Sequence, residues 1–157
     1  MTKNPTLARD IMVTKLVTLS PDMDAFEAID LLLKYRISGA PVVDQERTYL
    51  GVFSERCCMS FLVEGAYQQL PSIQVYAYMD TNAQTIDEER DILSIAQIFL
   101  NTHARRLPVL RDGKLVGQIS RRDVLSAIHA MSAITNNEDS ALLYLSSLVE
   151  RNNAPIA

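Results

Sequence analysis

The strongest constraint on this 157-residue chain is that it contains one segment twice. A shift of 67 positions lays Met12 on Met79, Thr14 on Thr81, Thr18 on Thr85, Asp24 on Asp91, Leu33 on Leu100 and Pro41-Val42 on Pro108-Val109. After a one-residue difference in a turn the shift becomes 66, pairing Gly51 with Gly117, Ser54 with Ser120, Arg56 with Arg122 and Ser60 with Ser126. A register held this far is repetition, and it makes each copy one supersecondary unit.

Each copy reads as a short strand, a helix, two strands joined by a turn, and a second helix, a mixed α+β pattern. The first strand is expected at Val17 to Leu19 and again at Gln84 to Ile86. Asp24 and Asp91 then stand where a carboxylate can accept the unpaired N–H groups of a first helical turn, and Glu27 would complete a capping box in copy one. Phe26, Ile29 and Leu33, and Leu93, Ala96 and Leu100, recur at helical spacing and are expected as the inward faces. Ile92, Ile95, Ile98 and Phe99 widen that face so far that the helix should be covered on two sides. In copy two, Leu107 to Leu110 and Leu115 to Ser120 flank Arg111-Asp112-Gly113-Lys114, a hairpin turn of the Asp-Gly type. Copy one replaces it with a longer polar loop, Asp44 to Thr48. Gly65 to Ser72 reads as a short ordered linker. Neither half carries enough core to be comfortable alone, so the halves are expected to pack face to face. Outside the repeat, Thr6 to Met12 reads as a helical lead-in. Ala141, Leu142, Leu145, Leu148 and Val149 form a stripe on an expected helix from Asp139 to Glu150 that docks on its own module or on a second subunit.

Composition narrows the functional classes. Fifteen Lys and Arg against 19 Asp and Glu leave a net charge of −4, which disfavours a polyphosphate duplex as partner. Residues 1–12 are broken by Lys3, Asn4, Pro5, Arg9 and Asp10 and do not read as an export signal, and no run of about 18 apolar residues occurs. A cytoplasmic protein without a membrane partner is the expectation. Cys57 and Cys58 are adjacent and too few for a disulfide framework, and no metal-ligand spacing surrounds them. The two histidines, His103 and His129, have no nucleophile and acid in a recognisable arrangement, and no Gly-rich phosphate loop is present, so no enzyme, catalytic cofactor or metal is expected.

The residues that can carry chemistry sit where the last strand of each copy meets its last helix. In copy two this is Gly117-Gln118-Ile119-Ser120-Arg121-Arg122-Asp123. Ser120 would end the strand and cap the helix, and Asp123 projects from the same side of the first turn. A carboxylate there can accept both vicinal ribose hydroxyls, while a serine hydroxyl and the N–H groups of a helix N-terminus can hold a phosphate. Arg121 and Arg122 raise the local positive potential. Ser-x-x-Asp is equally a capping arrangement that needs no ligand.

With Ser38-Gly39-Ala40-Pro41-Val42-Val43 and Arg106-Leu107-Pro108-Val109-Leu110 ahead of Gly51-x-x-Ser54 and Gly117-x-x-Ser120-x-x-Asp123, the doubled unit resembles a tandem pair of CBS (cystathionine beta-synthase type) domains over residues 8 to about 133. The implied organisation is repeat 1 at 8–65, a linker at 66–74, repeat 2 at 75–133 and a helical extension at 134–157, as one pseudo-symmetric module that forms a homodimer. The resemblance implies regulation rather than turnover: an adenine nucleotide, AMP, ADP, ATP or a related adenosyl ligand, held in a cleft between the repeats and signalled to an unidentified effector protein. Carried over by position, Asp123 would hold the ribose and Ser120 the phosphate. Gln84, Thr85 and Leu107 beside Pro108 would line the base pocket, and His103, Arg36 or Arg105 would contact phosphate. Copy one departs from the pattern at Ser54-Glu55-Arg56-Cys57, where a thiol replaces the carboxylate. A sulfur is a weak acceptor, so the first site is expected to be degenerate and one nucleotide is expected per chain. The alternative is a CBS dimerisation or docking module that has kept the fold and lost the ligand.

Overall fold

The computed structural model describes residues 4–67 and 73–135. Its elements are α1 (Ala8–Ile11), α2 (Ala25–Tyr35), β1 (Gly39–Val43), β2 (Tyr49–Ser54), α3 (Glu55–Tyr67), a 3-10 turn (Val75–Ala77), β3 (Ile86–Asp87), α4 (Ile92–Asn101), β4 (Arg106–Arg111), β5 (Lys114–Ser120) and α5 (Arg121–Thr135). The doubled α+β order expected from the sequence is present. The expected linker begins later than Gly65, because Gly65, Ala66 and Tyr67 continue α3. The stripe from Asp139 to Glu150 lies outside the described residues.

Two strand expectations are corrected, for one reason. Of Val17 to Leu19 only Leu19 pairs, in a parallel bridge with Val42: its N–H donates to the Pro41 carbonyl at 2.9 Å and its carbonyl accepts from Val43 N–H at 3.0 Å. Extending the ladder back toward Val17 would require an N–H from residue 41, and proline has none. Pro108 stands at the equivalent place in copy two, and there the strand is Ile86–Asp87, leaving Gln84 and Thr85 outside it. The copies then differ as their turns do. Asp112 (φ 50°) and Gly113 (φ 75°) make the tight turn between β4 and β5, while Asp44 to Thr48 closes on itself through an Asp44 N–H to Thr48 carbonyl bond of 3.1 Å.

The helix starts are as expected and the helix faces are not. Asp24 accepts from Phe26 N–H at 2.7 Å and Asp91 from Ser94 N–H at 3.0 Å. Glu27 completes no capping box; on either side of Asp24 the backbone bonds to segment 73–75, Ala25 N–H to the Ile73 carbonyl and Val75 N–H to the Met23 carbonyl. The residues turned inward are Ala25, Ala28 and Leu32 in α2 and Ile92, Ile95 and Phe99 in α4, whereas Leu33 is 72% and Leu100 83% exposed. The expected faces were rotated by about one residue. Small Ala25 and Ala28 let α2 settle against its core of Leu19, Val42, Phe53 and Phe61.

By contacts the chain divides into two compact units, and neither is a plain sequence half. One gathers residues 1–14, 86–109 and 117–157, the other 15–85 and 110–116. In the first, Val13 and Gln118 exchange backbone bonds of 2.9 and 3.0 Å, and Ala8 N–H reaches the Arg90 carbonyl at 2.8 Å. In the second, Val52 and Asp80 exchange bonds of 3.0 and 2.8 Å. The segment that leads each repeat is thus stitched to the second strand of the other. These crossings explain a repeated glycine. A Cβ on Gly51 would lie 2.6 Å from the Asp80 carbonyl oxygen, and one on Gly117 would lie 2.5 Å from Met12 Sδ.

The obstacles differ in stiffness. Gly51→Ala must push a hydrogen-bonded backbone aside and is expected to lower unfolding free energy by about 2–3 kcal/mol, whereas Gly117→Ala displaces a flexible side chain and should cost about 1 kcal/mol. Urea titration of both variants checks the order; equal losses would contradict it.

Candidate functional site

The junction of β5 and α5 brings Ser120 and Asp123 together. Asp123 Oδ2 accepts from Ser120 N–H at 2.7 Å and from Ser120 Oγ at 2.8 Å, while Asp123 N–H donates to Ser120 Oγ at 3.3 Å. This is a capping box closed on itself, with the carboxylate in the first helical turn where the helix dipole favours an anion. Both side chains are half-buried, and both bonds to the carboxylate use the same oxygen, so Oδ1 remains for a further donor.

Copy one builds the same bracket from weaker parts. Ser54 ends β2, and its Oγ lies 3.4 Å from Cys57 Sγ and accepts from Cys57 N–H at 3.4 Å; the thiol also reaches the Val52 carbonyl at 3.7 Å. The cap survives the exchange of Asp for Cys, but no oxygen pair stands there to receive two hydroxyls. Cys57 and Cys58 are buried and unpaired as a disulfide, and burial together with the adjacent Cys57 pushes the Cys58 thiol above its ordinary value, which disfavours the reactive thiolate.

The remaining candidate residues are placed unevenly. Arg121 turns toward the end of α4: its Nη2 donates to the Phe99 carbonyl at 3.4 Å and its guanidinium lies 6.0 Å from the centre of the Phe99 ring. Its charge therefore meets the negative end of α4, an arrangement that drew no signal from the sequence because Phe99 reads there only as a helix-face residue. Arg122 lines a cleft with Leu125, Ser126 and His129. His103 and Arg105 are exposed between α4 and β4, where Thr102 Oγ1 closes the helix on the Ile98 carbonyl at 2.8 Å. Arg36, its repeat equivalent, instead ends α2 in the left-handed region (φ 53°) with its N–H on the Leu32 and Leu33 carbonyls and its side chain exposed. Leu107 and Pro108 are buried. Gln84 is exposed and its side-chain amide donates to the Thr85 carbonyl at 3.1 Å; Gln84, Thr85 and Arg36 belong to the unit of residues 15–85 and 110–116. Among the described residues, no group of three or more His, Cys, Asp and Glu could hold a metal ion, and no helix is long and apolar enough to cross a membrane.

A twice-built strand–helix unit that ends in Ser-x-x-Asp or its degenerate form defines a repeat class, and comparison with known proteins identifies it. The chain belongs to the CBS domain family, whose profile matches residues 8–64 and 75–130. It is 30% identical over 117 residues to inosine-5'-monophosphate dehydrogenase of Aquifex aeolicus, covering 73% of this chain and 23% of that protein. It is 33% identical over 119 residues to the A-adding tRNA nucleotidyltransferase of Geobacter sulfurreducens, covering 75% and 13%. The chain thus spans less than a quarter of either relative. Among solved structures it is similar to CBSX2 in complex with AMP, at 26% identity and a TM-score of 0.68, covering 80% of this chain and 98% of that one.

Removing the carboxylate takes the acceptor from Ser120 N–H and Oγ, half of the capping box, while Ser120 Oγ still accepts from the N–H of residue 123. Asp123→Ala is expected to lose about 1–2 kcal/mol in nucleotide-free buffer, read by urea titration. An unchanged midpoint would show that the bracket is not a cap.

Proposed function

We propose that the chain is a regulatory ligand-sensing module that binds an adenine nucleotide, AMP, ADP, ATP or a related adenosyl compound, at its second repeat and signals occupancy to a partner protein. The observation that carries this reading is the Ser120–Asp123 pair, a hydroxyl and a carboxylate 2.8 Å apart at a helix N-terminus. The AMP in the related CBSX2 structure supports the ligand class. Asp123 accepts the ribose hydroxyls, using first the oxygen that the cap leaves open. Ser120 turns its hydroxyl from Asp123 to the phosphate, exchanging one hydrogen bond for another, and the N-terminus of α5 supplies further donors. Exposed Arg105 and His103 are the cations for that phosphate, with Arg36 the equivalent residue of the other copy.

In the unit that holds Ser120 and Asp123, Leu107 and Pro108 are the residues that read the base. Burial of Leu107 and Pro108 means that contact with the base requires neighbouring residues to move. That requirement gives the ligand a preference between two conformations, without which binding would switch nothing. A second reading, a ligand-free CBS dimerisation or docking module, draws on the exposed apolar residues of the helices, Leu33 and Leu100 among them.

Thermal denaturation with and without AMP separates the two. At about a hundred dissociation constants of free ligand the wild type gains about 2.7 kcal/mol, several degrees for a chain of this size, and Asp123→Asn gains nothing. No shift of the wild type with AMP, ADP, ATP or S-adenosylmethionine would leave the docking reading in its place.

A further inference from the structure

The outer stripe of α5 is unfinished. Arg122, Leu125, Ser126 and His129 recur three and four residues apart and line an open cleft of about 560 Å³. Val124, beside them, is buried in the core, whereas Leu125 is 69% exposed. Asp123 does not share the stripe, because its carboxylate is turned to Ser120.

The chain continues past the described end of α5 with residues suited to cover that stripe. Asn136, Asn137 and Glu138 form a short polar connection, and Asp139 and Ser140 are residue types that start helices. Ala141, Leu142, Leu145, Leu148 and Val149 then make one apolar stripe, closed by Glu150. A connection of about three residues sets consecutive helices side by side and antiparallel. Lengths agree as well. At about 1.5 Å per residue, 139–150 spans about 18 Å as a helix and α5, Arg121–Thr135, about 22 Å.

Register follows from where the chain must turn. Counting outward from Asn137 lays Leu142 on Ser132, Leu145 on His129, Leu148 on Ser126 and Val149 on Leu125, and puts Glu150 within one turn of Arg122. The charges fit this order. Glu150 meets the arginine end of the stripe, and Arg151 falls opposite Asp123. Glu138 and Asp139 stand at the start of their own helix, where its dipole favours acidic groups.

We propose that residues 139–150 fold back as a helix along the outer stripe of α5 in the same chain, setting Leu148 and Val149 on Ser126 and Leu125 and pairing Glu150 with Arg122. The occupant of the cleft is thus the chain's own C-terminal segment. The proposal rests on chain direction, length and charge and does not depend on nucleotide binding.

Cross-linking of the full chain tests it. Leu125→Cys combined with Val149→Cys, and Ser126→Cys combined with Leu148→Cys, place thiols at two facing positions of the register. Leu33→Cys combined with Val149→Cys is the control, since Leu33 is 72% exposed on α2. Cys57 and Cys58 are buried, and peptide mass mapping identifies any link that involves them. Circular dichroism confirms folding before oxidised glutathione is added to dilute protein. Both facing pairs should close within one chain at least about tenfold faster than the control, because a docked helix holds the thiols within disulfide reach while a loose tether only collides with each site. Links that join two chains would show that the segment covers another molecule and would overturn the proposal. Rates equal to the control, or no link at either facing pair, would overturn it too.

Discussion

Among the backbone hydrogen bonds that hold the arrangement together are two between Val13 and Gln118 and two between Val52 and Asp80, all between 2.8 and 3.0 Å. They tie the leading segment of each repeat to the second strand of the other, so neither compact unit is made from one repeat alone. The closeness of that crossing excludes a side chain at Gly51 and Gly117. One of these crossings falls at Gln118, two residues before Ser120, where β5 gives way to α5.

The same junction shows how one repeat can exchange a carboxylate for a thiol while both keep the shape of the cap. Ser54 and Cys57 preserve the bracket of Ser120 and Asp123 with longer, weaker contacts, so α3 still starts where it should. What is lost is the pair of oxygens. A cap needs one acceptor, whereas recognition of vicinal hydroxyls needs two, and the chain keeps the second requirement in only one copy. On the proposed reading a binding duty rests on the same residues as the cap, and only that duty is sensitive to the change from Asp to Cys.

Much of this was readable from the sequence because it is written in side chains with strict backbone requirements. Asp112-Gly113 announced the hairpin through positive φ, Asp24 and Asp91 announced the helix starts, and Ser120 with Asp123 announced the bracket. The inward faces of α2 and α4 were misread because both helices carry apolar residues around most of their circumference, and periodicity cannot tell a face turned to the core from one turned outward. The shortness of the first strand in each copy followed from Pro41 and Pro108, whose missing N–H ends a ladder that Val17 and Gln84 otherwise fit. The crossing of the leading segments left only a shared glycine as its trace, since backbone bonds carry no side-chain signature. The turn of Arg121 toward Phe99 depends on a tertiary contact that no local pattern encodes.

The central claim is that this chain offers a single nucleotide site, at the copy that kept its carboxylate. Isothermal titration of AMP into the purified chain measures it most directly, through the stoichiometry. One nucleotide per chain is the predicted result, and it should persist in Cys57→Ser, which alters only the degenerate bracket. Two nucleotides per chain, or heat of binding that vanishes with the cysteine and not with Asp123, would contradict the account.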